Sequence, residues 1–146
     1  MSRPVARTLS LGAAVLGAFF VLASCQNPFN TSDYRDRLAV VDTVIAPDSV
    51  FALQTFKVTL RTEAPNSCWS KGHDDAEPQA GGMLVTPYDQ EYTGKNACAQ
   101  AIVHFQHELT IYAPSKGTFT LTVKTRTRSV SGADSTAVVT RTILLQ

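Results

Sequence analysis

Three groups of residues in this sequence have the types and spacing to do chemistry. His104 and His107 form a His-x-x-His pair, which is ligand spacing for zinc or copper. His73, Asp74, Asp75 and Glu77 gather an imidazole and carboxylates in one short segment, a donor set for a hard cation. Cys25, Cys68 and Cys98 are candidates for a nucleophile, a metal or a cross-link.

The elements that must position these residues weaken the metal readings. Val103, Phe105, His107, Leu109 and Ile111 alternate with His104, Gln106, Glu108 and Thr110, the period of an extended strand. Positions three apart on a strand point to opposite faces, so His104 and His107 share a metal only across a bulge or bend. The expected arrangement is His107 hydrogen-bonded near the core edge and His104 in solvent. Residues 71–79 lack the alternating acids and turn glycine of a calcium loop and read as a solvated acidic loop. No serine lies in a nucleophile elbow, and no carboxylate dyad or glycine-rich phosphate loop is present. The expectation is a protein without catalytic residues, resident metal or dissociable cofactor.

The amino terminus carries an address. Arg3 and Arg7 precede an almost unbroken apolar run at residues 9–22, and small Ala23 and Ser24 follow, the three-part layout of an export signal. That run falls short of the roughly 20 residues a spanning helix needs. Leu22-Ala23-Ser24-Cys25 resembles the lipobox of bacterial lipoproteins. The resemblance implies diacylglycerol on the Cys25 sulfur, cleavage before Cys25, and acylation of the new amino terminus with a fatty acid such as palmitate. Each buried methylene contributes about 0.8 kcal/mol, and several chains make such an anchor durable. Gln26, rather than Asp, follows Cys25, similar to the outer-membrane sorting pattern of enteric lipoproteins. With Cys25 given to lipid, Cys68 and Cys98 remain in a compartment that permits oxidation and are expected to pair. Closing a loop of about 30 residues stabilises by roughly 3.5–4 kcal/mol in the chain-entropy model.

Charge is balanced, with 13 Lys and Arg against 12 Asp and Glu, and loss of Arg3 and Arg7 with the leader leaves 11 against 12. Nucleic-acid binding would call for a basic stripe, and none is visible. Residues 26–37 show neither a helical nor a strand period and read as a tether. The domain plan is therefore a signal peptide at 1–24, a lipidated cysteine and tether at 25–37, and one folded domain at 38–146. Within it, Phe56, Val58 and Leu60, and again Phe119, Leu121 and Val123, alternate with polar residues. Residues 88–96 read as a loop. No apolar stripe at helical spacing appears after the leader, and six to eight short strands punctuated by Pro, Gly and Asn point to an antiparallel β-sandwich.

Gly117-Thr118-Phe119-Thr120-Leu121-Thr122-Val123 resembles the late-strand pattern of bacterial immunoglobulin-like domains, and Ala46-Pro47-Asp48-Ser49-Val50 resembles their opening. The resemblance implies an all-β, antiparallel immunoglobulin-like β-sandwich of about seven strands, in the manner of small bacterial lipoproteins of that build. Trp69 directly follows Cys68, unlike the antibody arrangement, and Trp69, Tyr88 and Tyr92 are candidate contact residues. The strands are rich in threonine, which suits an exposed sheet and offers a polar face to an envelope protein or a glycan. The functional expectation is a non-enzymatic binding or assembly module, lipid-anchored in the bacterial cell envelope at the outer membrane. Two alternatives stand beside it. One is a periplasmic metal-handling protein using His73, His104 or His107; the other is a small exported protease inhibitor with its reactive loop in residues 71–79 or 88–96.

Overall fold

The structure, a computed structural model, describes residues 33–94, 97–127 and 134–146. The leader, the lipobox, Cys25 and most of the expected tether lie outside the described residues. The elements are β1 (Tyr34–Leu38), β2 (Val40–Ile45), β3 (Ser49–Val50), β4 (Thr55–Ala64), β5 (Trp69–Gln79), β6 (Gly82–Tyr92), β7 (Val103–Tyr112), β8 (Gly117–Thr127) and β9 (Ser135–Leu145). They form two sheets: β1-β6-β8-β9-β3, with β5 added on the other edge of β6, and β2-β4-β7. Among the described residues no helix is long and apolar enough to cross a membrane.

Two sequence expectations need correction. The described residues contain nine strands rather than about seven, and the larger sheet is mixed, because β6 pairs with β8 and β3 with β9 in parallel. The additional strands come from segments read as tether and loop. Residues 34–37 pair with β6 from Tyr34 opposite Tyr92 to Arg37 opposite Asp89. Residues 71–79 belong to β5, and residues 88–92 continue β6. Most of β1 and the second half of β5 are exposed on both faces, so these strands carry no alternation for the sequence to show.

Where one face is buried, the period is plain. β4 alternates from Phe56 to Ala64, and Phe56, Val58 and Leu60 meet Val85, Ile111, Phe119, Leu121, Val123 and Ile143 between the sheets. Phe56 and Phe119 cross edge to face with centroids 5.8 Å apart. Ala39, fully buried, is the corner at which the chain leaves the first sheet for the second. Its amide donates to the Pro87 carbonyl at 2.9 Å and its carbonyl accepts from the Arg126 amide at 2.9 Å. Pro87 stands where β6 exchanges β8 for β1 as neighbour, so its missing N–H costs no ladder bond there.

The strands give the domain two ends. At the near end the chain comes in at Tyr34, and the Cys68–Cys98 disulfide joins the β4–β5 and β6–β7 connections, with a Cα–Cα distance of 5.4 Å. At the far end lie the β3–β4 connection, the β5–β6 turn at Gly81 and the β7–β8 turn. β6 runs the whole distance, about 35 Å at strand rise.

Candidate functional site: a buried carboxylate–imidazole–carboxylate bridge

His107 enters the interior from the middle of β7, on the face the alternation assigns to it, and is fully buried. Across the interlayer space it meets two carboxylates of the other sheet. Its Nε2 lies 3.0 Å from Asp89 Oδ1 on β6, and its Nδ1 lies 2.7 Å from Asp74 Oδ1 on β5. Asp89 is only 1% exposed. The Nε2 contact is a hydrogen bond, whereas Asp74 Oδ1 sits off the Nδ1–H direction and is better described as an ion-pair contact.

Burial alone drives an imidazole toward its neutral form and is the largest single influence on His107. The contact with Asp74, the hydrogen bond to Asp89 and the charges of both carboxylates together outweigh it, raising the His107 pKa from 6.5 to about 9. At neutral pH the site is a protonated imidazole between carboxylates. With a carboxylate beside each ring nitrogen and the ring itself fully buried, protonated His107 offers no free lone pair to a metal. What the arrangement does chemically is join the sheets by charge.

A bulge makes the bridge possible. β5 pairs Lys71 with Asp89 and Asp74 with Pro87, so Gly72 and His73 together oppose Tyr88. The inserted residue reverses the facing of β5, and Asp74, which shares no parity with buried Trp69, turns inward like Trp69. Gly72 is required by contact rather than by dihedral angle: a Cβ there would sit 2.4 Å from the Tyr88 carbonyl oxygen. His73, left on the outside, stacks on the Tyr88 ring at 4.9 Å and lies 4.0 Å from Asp36 and 3.9 Å from Asp75.

The sequence candidates therefore scatter. His104 is exposed on the outer face of β7 in register with Glu63, His73 is exposed on the larger sheet, and His107 is sealed between the sheets. Among the described residues no group of three or more His, Cys, Asp or Glu side chains is placed to hold a metal ion. Residues 71–79 form a strand rather than the solvated acidic loop expected, and Asp74 turns to the inner face, its side chain 17% exposed. Of the two segments offered for an inhibitor's reactive loop, residues 71–79 lie in β5 and, of residues 88–96, 88–92 continue β6. Trp69 is buried, with the Arg126 guanidinium 5.2 Å above its ring.

The far end has the opposite character. Phe51 and Leu53 are 64% and 68% exposed on the β3–β4 connection, and Tyr112 at the end of β7 is 54% exposed. Leu53 holds a φ of 63°, a left-handed conformation costly for a branched side chain, pinned by its amide donating to the Ala113 carbonyl at 2.8 Å. A cleft of about 310 Å³ opens beside them between the β5–β6 and β7–β8 turns. Searches for related proteins give no match to a family model, a curated protein or a solved structure.

Proposed function

We propose that this chain is a lipid-anchored bacterial envelope protein of immunoglobulin-like build that presents its far end to a partner. The observation that carries the reading is the separation of ends. The lipobox-like cysteine precedes the described domain by a few residues and joins it at the near end, where Tyr34 and Ile102 are exposed singly, while Phe51, Leu53 and Tyr112 are exposed at the far one. A strained, water-exposed leucine is retained at a cost on two counts, which fits a contact residue better than a packing residue.

Membrane attachment is tested by labelling cells with an alkynyl palmitate analogue and fractionating them. The wild-type chain is expected to carry label and float with outer-membrane vesicles, and Cys25→Ser to lose label and appear in the soluble fraction. Unlabelled wild-type chain, or Cys25→Ser retained in the membrane, contradicts the reading.

A further inference from the structure

The cleft at the far end has a composition that specifies its occupant. Its apolar lining is supplied by Pro78, Met83, Tyr112, Pro114, Phe119 and Leu145. Phe119 and Leu145 are each 5% exposed and belong to the core, so the floor is rigid. The volume, about 310 Å³, lies at the lower bound of small-molecule sites. It is the size for one large side chain with its backbone rather than for an extended ligand. Among the described residues that line the cleft, the single charged group is the Lys116 ammonium, and no carboxylate accompanies it.

The surroundings extend the site in one direction. The Leu53 amide is bonded to the Ala113 carbonyl and the Ala52 amide to that of Gln146, at 2.8 Å each. The exposed β3–β4 connection thus lies against the Tyr112–Pro114 and Leu145 walls of the cleft. An occupant buried wholly in the cleft would leave Phe51 and Leu53 in water. A chain whose last residue fills the cleft and whose preceding residues run over Leu53 would cover them. We propose that the far-end cleft binds the carboxyl terminus of a protein chain ending in a large apolar residue, the side chain in the cleft and the terminal carboxylate on Lys116. This rests on the reading of the protein as a partner-binding module and names the chemistry of that partner. One cation without a companion acid favours a single negative charge, and an apolar floor favours the residue that bears it.

The test uses the full-length lipidated protein in nanodiscs, titrated against fluorescein-Gly-Ser-Gly-Ala-Leu-Phe by anisotropy, with empty nanodiscs as blank. The peptide with a free carboxylate is expected to bind saturably and at least fivefold more tightly than the same peptide amidated. Lys116→Met is expected to reduce the free acid to the level of the amide and leave the amide unchanged. Ser115→Trp, at an exposed position on the cleft, is expected to abolish binding of both with an unchanged thermal midpoint. Equal binding of acid and amide, insensitivity to Lys116→Met, or no saturable binding up to millimolar peptide each overturns the proposal. Octanoate serves as a further competitor, and its displacement of the peptide at equal concentration would show a site for free amphipathic acids instead. Because palmitate labelling and flotation are read separately, a failed cleft and a failed anchor are distinguishable.

Discussion

The space between the two sheets is filled in two different ways. Toward the far end it is packed by Phe56, Val58, Ile111, Phe119, Leu121 and Ile143, side chains that need only be apolar and of the right volume. In the middle and toward the near end the same space holds Thr62, Asp74, Asp89, His107 and Thr125. Here Thr125, His107 and the two carboxylates each depend on a partner in a particular place. Thr125 Oγ1 accepts from the Val41 amide at 2.8 Å and donates to the Ala39 carbonyl at 3.3 Å, while His107 takes both carboxylates. The difference teaches where the fold is specified. An apolar layer tolerates sliding of one sheet over the other by small steps, whereas an imidazolium with a carboxylate on each nitrogen fixes one relative position.

The largest expected effect comes from removing the centre of the polar half. His107→Ala leaves Asp74 and Asp89 facing each other without a counter-charge, and the expected loss is about 3–5 kcal/mol in urea unfolding at pH 7. A loss no larger than that of an ordinary surface substitution would break the comparison. Next is pH. Because the folded-state pKa of His107 is raised from 6.5 to about 9, its contribution is complete below about 6.5 and is lost as pH climbs through about 9. The wild type is expected to lose on the order of 3 kcal/mol across that window and His107→Leu to show no such slope.

A smaller effect separates geometry from charge. Gly72→Ala puts a methyl group into the Tyr88 carbonyl without touching any charged residue of the bridge. The expected cost is about 1–3 kcal/mol, together with a flatter alkaline slope as Asp74 is displaced. If the slope is unchanged, the bulge does not set the bridge. The smallest effect belongs to the apolar half, where Leu121→Met is expected to cost under about 1.5 kcal/mol and leave the alkaline slope intact.

Legibility in the sequence follows the same division. The apolar half was readable because burial on one face of a strand enforces a period of two, as in β4, β7 and β8. The facing of His107 and the all-β, two-sheet class followed from it. The carboxylates escaped for separable reasons. Asp74 lies beyond a bulge, and one inserted residue inverts every later facing, so alternation counted through it gives the wrong side. The available signal was Gly72, an isolated glycine in an extended run, which marks such an insertion. Asp89 is hidden because it falls within residues 88–96, which read as a loop. Continuing the period Val85, Pro87, Asp89 would have placed it on the inner face. The far-end cleft leaves no trace in sequence, because its lining comes from both turns and from the ends of β5, β6, β7, β8 and β9.

The direct measurement is the titration of the His107 ring by nitrogen-15 and carbon-13 NMR from pH 5 to pH 10.5. The expected result is an imidazolium with both ring nitrogens protonated at pH 7, deprotonating near pH 9. A neutral His107 ring at pH 7 would contradict the account, since an uncharged imidazole could not hold the two sheets by charge.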